Sequence, residues 1–408
     1  MKKIVSVLTA AALAVLALCS CGSSLPGEDL TAKVKPDENA SYNFKNFETT
    51  PPTAYSNYKT SAMNFSLNML KSLDGGSFSP MALYYQLSLL QNAASSATQN
   101  SIKNLTSESI PLEDLNACNA YFFSRLNNLS KPEKDRYIDI NGDFFLNEKT
   151  PYSQSFLLAN ADYYNQGIFR LDFSSGNFSE QVNPYLAENS ASRAKLTETP
   201  DKNAGMLLSG SAFMKDSWLN GYREKDVVSD AFRGSKSIKT DFLKSTEFYL
   251  KGKNCEGIVK DFKTTPAKFV AVIPKDNDLK KFLNKFTADD YYELIGSMKP
   301  DKTCTAYIPE FSRGETVSFI NNKNLKFLSE QGSYSGLSYN AKSSVSDINQ
   351  NYEFKISRGG IDSDKTYFSK SSKASPSKTV KLNRPFIYMV VDNESMLPIF
   401  MGTISDIG

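Results

Sequence analysis

Apolar residues recur at three- and four-residue spacing through Ala62, Phe65, Met69 and Leu73, which predicts an amphipathic helix. Gly75-Gly76 ends it. Ser79-Pro80 then offers a hydroxyl N-cap and a proline for the first turn. A second helix starts there, with Leu83, Leu87, Leu90 and Ala94 on its apolar face. A third covers Thr98 to Leu105, and a fourth carries Leu115, Cys118, Phe122 and Leu126. Strand signals dominate afterwards. Tyr137 to Ile140 alternates, and Phe269 to Ile273 is a continuous apolar run, as a strand buried on both faces requires. Thr303 to Ile308, Thr316 to Ile320, Ile387 to Val391 and Ile399 to Met401 read as further strands. Helices come mainly first and strands mainly later, which is an α+β pattern rather than alternating βαβ units.

Two stretches fall outside this pattern. At the N-terminus, Lys2 and Lys3 precede the apolar run Ile4 to Leu18. That run is shorter than the ~20 residues a membrane helix needs and reads as a signal peptide over 1–20. It ends in Leu18-Cys19-Ser20-Cys21-Gly22, which resembles the bacterial lipoprotein cleavage motif. The resemblance implies that Cys21 becomes the first residue and carries lipid through its sulfur. The protein is then anchored to a membrane, at the cell envelope or extracellular surface, rather than spanning one. The other reading is an ordinary secretory signal with two incidental cysteines. Residues 21–57 are rich in Ser, Pro, Asn and charged residues, and are expected to form a flexible tether to a single domain over 58–408. The second exception is Ser357 to Lys381, a polar, Ser- and Lys-rich run between two strand-like stretches. A loop of that length is usually functional or disordered.

Composition narrows the chemistry. The chain of 408 residues carries 47 basic and 44 acidic side chains, a formal charge of +3, which argues against nucleic-acid binding. It holds 27 Phe and 21 Tyr, enough for a large core, and no histidine at all. Ser-His-Asp and Cys-His catalysis, a His general base and His-ligated zinc are therefore excluded. Beyond the signal, Cys118, Cys255 and Cys304 are an odd, sparse set without a CxxC; they read as buried thiols, with one disulfide left open. Asp139-Ile140-Asn141-Gly142-Asp143 looks faintly like a calcium loop, but its glycine is misplaced and no Glu follows at the twelfth position, so it reads as strand and turn. Glu113-Asp114 and Asp289-Asp290 read as helix-starting charges. Gly75-Gly76 lacks the lysine of a phosphate loop. No enzymatic activity, metal or cofactor is expected.

A set of motifs in order carries a family resemblance. Ser79-Pro80 with Ala94, Thr98 and Ile102 matches a Ser-Pro helix start followed by Gly-Ala-x-x-x-Thr-x-x-x-Ile, with Ala93 in place of the glycine. Val182-Asn183-x-Tyr185-Leu186 looks like Ile-Asn-x-Trp-Val, and Leu208 to Trp218 resembles a strand ending in Phe-Lys-Gly-x-x-Trp. Ile308-Pro309-Glu310-Phe311 is similar to Leu-Pro-Lys-Phe, and Leu328 to Leu337 to a Leu-Gly…Leu-Ser-Gly stretch. Arg384-Pro385-Phe386, Asp392 and Phe400-Met401-Gly402 match Arg-Pro-Phe…Asp…Phe-Met-Gly. From about 58 to 408 the chain thus resembles the serpins, protease inhibitors that trap their target by changing shape.

The resemblance implies a serpin-like fold, with mixed multi-stranded sheets, helices packed around them and an exposed reactive loop at 357–381. It implies a monomer that inhibits a serine protease as a suicide substrate: the protease cleaves the loop, and the cut loop enters the main sheet as a new strand. Alignment places the hinge at Gly359, Gly360, Ile361, Ser363 and Lys365, and the reactive bond at Ala374-Ser375, with Lys373-Ala374 as the alternative. Alanine suits an elastase-like or subtilisin-like target, lysine a trypsin-like one. The sheet-opening region is expected at Trp218, Gln350 and Asn183, with Gln350 where the family uses histidine. Ala191 and Gly210 stand where asparagines are usual. The hinge itself is unlike the family's run of glutamates and small residues. If Ile361 faces the core, Ser363, Lys365 and Tyr367 do too; a shift by one buries Asp362 and Asp364 instead. Either register turns a charge inward, at a cost of several kcal/mol if unpaired. That motivates the alternative of a non-inhibitory serpin-fold binding or adhesion module.

Overall fold

In the computed structural model, the described residues are 25–37, 39–45, 48–129, 136–190, 193–368, 376 and 378–407. The proposed signal, Cys21, Ala191 and the residues Lys373, Ala374 and Ser375 lie outside them. The helices follow the sequence pattern. α1 (Tyr55–Ser72) ends just before Gly75, whose φ of +103° suits glycine. Ser79 caps α2 (Pro80–Ala93) by accepting from the Ala82 amide. α3 (Ser96–Thr106) and α4 (Leu112–Leu129) follow. All of α2 except Asn92 is buried, so it forms the spine of the core.

The main sheet contains β1 (Glu28–Asp29), β2 (Tyr137–Asn147), β3 (Gly167–Leu171), β4 (Met206–Ser217), β5 (Phe311–Ser318), β6 (Val345–Ile356) and β7 (Gly360–Ile361). Their order is β1-β3-β2-β4-β7-β6-β5. Side chains alternate across it. Phe144, Leu208 and Met214 face the large core behind the sheet, whereas Phe145, Leu207 and Phe213 face forward. The forward set packs under α5 (Phe178–Glu188) with Phe178, Val182 and Leu186, so the helix is pinned to the front of the sheet. A second sheet of nine strands includes Ala267–Pro274, Phe386–Asp392 and Pro398–Ile404, all almost wholly buried. These match the continuous apolar runs of the sequence. The architecture is the α+β arrangement expected.

Two details differ from expectation. Within the stretch read as a flexible tether, residues 28–37 and 39–45 are folded onto the body. Its strand β1 pairs antiparallel with β3, Leu30 is fully buried, and Arg170 bonds Glu28 at 3.1 Å. Asp37 N and Phe44 N donate to Asp162 Oδ1 and O at 2.7 Å each. Buried Leu30 supplies a hydrophobic anchor that the surrounding polar residues hide in a compositional reading. The strand expected over Thr316 to Ile320 runs instead from Phe311 to Ser318, because it is an edge strand of the main sheet whose polar stretch is half solvated.

Cys118, Cys255 and Cys304 are free and buried, and burial pushes their thiols up to about 12, 11 and 12 respectively. Asp139, Asn141 and Asp143 lie within β2, and Asp290 forms a reciprocal cap with Thr287, as the strand and helix-start readings expect.

Candidate functional site

β4 and β6 pair directly and in parallel where Leu208–Phe213 oppose Ile348–Glu353. Above that contact they part, and β7 fills the gap, antiparallel to both: Gly360 opposes Ser217, and Ile361 opposes Asp216 and Ile356. The fit requires glycine. A Cβ on Gly360 would sit 2.0 Å from the Asp216 carbonyl oxygen, and one on Gly359 would sit 2.2 Å from that of Ser363. Ile361 is fully buried. Ser363 is buried too, 2.9 Å from Ser217 Oγ, and its carbonyl accepts from Ser357 Oγ at 2.9 Å. Between them Asp362, at a φ of +47°, turns forward to Arg193 at 2.5 Å. Arg193 also pairs with Glu353 at 3.2 Å. The register is therefore the one with Ile361 and Ser363 inward, and the charge of Asp362 is met from outside. Lys365 and its neighbours leave the sheet and are exposed. The chain turns alongside Gly221, whose amide donates to Tyr367 O at 2.8 Å.

Trp218 closes the top of this gap. Its amide donates to Gly359 O at 2.8 Å and its indole Nε1 to Ser357 O at 2.9 Å. Its ring stacks on Phe262, centroids 4.8 Å apart, and meets Phe269 edge-on. Lys260 lies 5.2 Å over the indole and 2.7 Å from Glu247. Burial pulls the Lys260 pKa down, but Glu247 and Tyr222 together outweigh it, so the ammonium stays charged. Asp216, at the end of β4, accepts from the backbone and hydroxyls of Thr264 and Thr265, fixing the strand that β7 must meet.

The other two residues of the expected sheet-opening region act lower down. Gln350 is fully buried behind the sheet, where its Oε1 accepts from Ser79 N at 2.6 Å and its Nε2 donates to Ser79 O at 3.0 Å. It thus ties β6 to the cap of α2. Asn183, on α5, accepts from Leu196 N at 2.7 Å and donates to Leu196 O at 3.2 Å. This holds the segment after α5 across the front of the sheet, where Lys195 N donates to Asn351 Oδ1 at 3.2 Å. Trp218, Gln350 and Asn183 are therefore not one cluster but three fastenings of the same seam. Gly210 lies opposite Gly142 and beneath Gln86; a Cβ there would come 2.9 Å from Gln86 Oε1.

The sequence reading missed the Arg193–Asp362–Glu353 clamp. Its members are far apart in the chain and carry no shared spacing signal. The far end of the loop is also held: Thr379–Lys381 pairs in parallel with Thr303–Pro309 of the second sheet. The loop thus spans two sheets, with its first residues already between β4 and β6. Among the described residues no His/Cys/Asp/Glu group is arranged to hold a metal.

Comparison with known proteins agrees with this geometry. The family model described as Serpin (serine protease inhibitor) matches residues 60–407. An uncharacterised serpin-like protein of Methanosarcina mazei is 20% identical over 355 residues, 80% of each chain. The crystal structure of tengpin, a thermophilic serpin in the native state, superposes with a TM-score of 0.80 at 24% identity, covering 94% of this chain and all of that one. Human thyroxine-binding globulin, complexed with thyroxine, superposes with a TM-score of 0.75 at 15% identity, over 87% and 99% of the two chains. With the matched region spanning most of its length, this chain belongs to the serpin family.

Proposed function

We propose that the protein is a suicide-substrate inhibitor of a serine protease, with the loop at 357–381 as bait. The observation that carries this reading is the seam itself: β4 and β6 are joined below and already wedged apart above by Gly360 and Ile361. A native sheet of this kind is a kinetic trap, since adding a strand gains pairing and burial that the intact loop cannot reach. The length is suitable. About 14 residues separate the wedge from the bond at Ala374-Ser375, or about 46 Å of extended chain. β6, along which they would lie, has 12 residues, about 40 Å. Cleavage at that bond releases the loop from its hold on the second sheet, and insertion then carries the acylated protease away. The target is an elastase-like or subtilisin-like enzyme if Ala374 precedes the bond, or a trypsin-like one if Lys373 does. A lipid on Cys21 would place the inhibitor on a membrane at the cell envelope or extracellular surface.

A second reading has its own observation. Continuing the present register inward brings Lys365 into the core after Ile361 and Ser363, and the clamp on Asp362 must open. Slow insertion would leave a cleaved but untrapped protein, acting as a binding or adhesion module. Thyroxine-binding globulin, whose fold is similar, was solved with a bound small molecule. Incubation with elastase, subtilisin and trypsin distinguishes the two. An SDS-resistant covalent complex and a marked rise in Tm after loop cleavage are expected of the inhibitor. Clean cleavage by all three, with no complex and no rise in Tm, would overturn it.

A further inference from the structure

β3 begins only at Gly167, opposite Asp143, so β2 upstream of that point has no neighbour on this side among the described residues. Around its open edge lies a cavity of about 270 Å³, near the lower end for small-molecule sites. One wall is apolar, from Phe44, Phe123, Leu126 and Ile140. Polar groups flank the edge, Asp143 on the forward face and Gln166 behind Gly142, and they are incompletely satisfied. Asp143 is buried and accepts a hydrogen bond from Tyr185 Oη at 2.9 Å. Gln166 is 3% exposed, and neither its Oε1 nor its Nε2 has a partner among the described residues. Leaving such an amide unmet is unfavourable, so a ligand that pairs with it gains. Among the described residues the lining contains one carboxylate and no lysine or arginine.

A pocket with an apolar wall, one buried carboxylate without a counter-ion and an idle amide selects its own ligand chemistry. An anion is refused by Asp143, and a purely apolar molecule leaves both polar groups unmet. We propose that this cavity binds a small organic cation, an apolar body bearing one ammonium or amidinium group that pairs with Asp143 and donates to Gln166. Nothing in the loop mechanism uses these residues, so the proposal stands independently of protease inhibition.

Binding then depends on pH. Burial pushes the Asp143 carboxyl up to about 7, with the Tyr185 hydroxyl partly offsetting it. The other titratable groups on the lining, Tyr85, Tyr164 and Tyr185, are raised by burial and stay neutral. Asp139, two residues along β2, is raised as well. A cationic ligand should therefore bind better at pH 8, where Asp143 is ionised, than at pH 5. The test is calorimetric titration of the full chain with benzylamine and with its neutral counterpart, benzyl alcohol. At pH 8 benzylamine is expected to bind at least tenfold tighter than the alcohol. The preference should shrink at least several-fold at pH 5 and vanish in Asp143→Asn. Gln166→Leu should weaken benzylamine alone. No binding of benzylamine at millimolar concentration, or equal binding of the two probes at pH 8, would overturn the proposal. So would a preference that is undiminished at pH 5 or that survives in Asp143→Asn. The wild-type pH comparison decides the matter even where a variant fails to fold.

Discussion

Asp143 occupies a forward-facing position of β2, and the packing of α5 over that face encloses it with no cation among the described residues of the lining. Its titration has a definite sign. Folding raises its pKa to about 7 from an ordinary value near 4, so the unfolded chain loses its proton first as the pH rises. The stability linked to this group is present below about pH 4 and declines until about pH 7. Asp143→Asn removes that slope. Urea melts at pH 4 and pH 8 should show the variant gaining on the wild type by a few kcal/mol toward pH 8; parallel pH dependences would contradict the assignment. Other single residues were legible only in part. The alignment marks Gln350 as a position of interest, but its partner Ser79 lies 271 residues away, and only folding brings the two together. Trp218 was legible as the end of a strand. That its indole also supports the turn at Ser357 was not, because a backbone carbonyl has no sequence signature.

At the scale of elements, the regular helices and buried strands could be read directly, since their spacing and caps depend on residues within a turn or two. The two-residue β7 could not. It has no strand pattern of its own and exists because β4 and β6 present unpaired backbone to it. The close approach at Gly360 makes β7 sensitive to substitution. Gly360→Val places a branched side chain against the Asp216 carbonyl and should expel the wedge. Because Trp218 is the only tryptophan, the expulsion should appear as a red shift of its emission as it loses Ser357. Stability should fall by about 1–3 kcal/mol. An unshifted spectrum with unchanged stability would show that the wedge is not held as described. The segment folded over residues 28–37 and 39–45 is a similar case: its strand forms against β3, not from its own composition.

For the whole molecule, the proposed inhibition makes the outcome a competition between insertion and release of the protease. The present register buries Ile361 and Ser363 and would next bury Lys365. Lys365→Ser removes that charge while keeping a small polar residue like Ser363. Titration of a target protease should then need several-fold less inhibitor per enzyme trapped than the wild type does, because fewer cleaved molecules escape. An unchanged ratio would mean that the lysine stem snorkels past the barrier.

From the sequence alone came the α+β class, the ordered motifs of the serpin family, the position of the loop and the absence of histidine chemistry. All of these depend on residue type and local spacing. The tertiary structure alone decided that β4 and β6 are joined below and parted above, which register the hinge adopts, that Arg193 answers Asp362, and that a carboxylate at β2 is shut in beside an idle glutamine. These are matters of which distant groups meet, and water competes for every such group until packing excludes it.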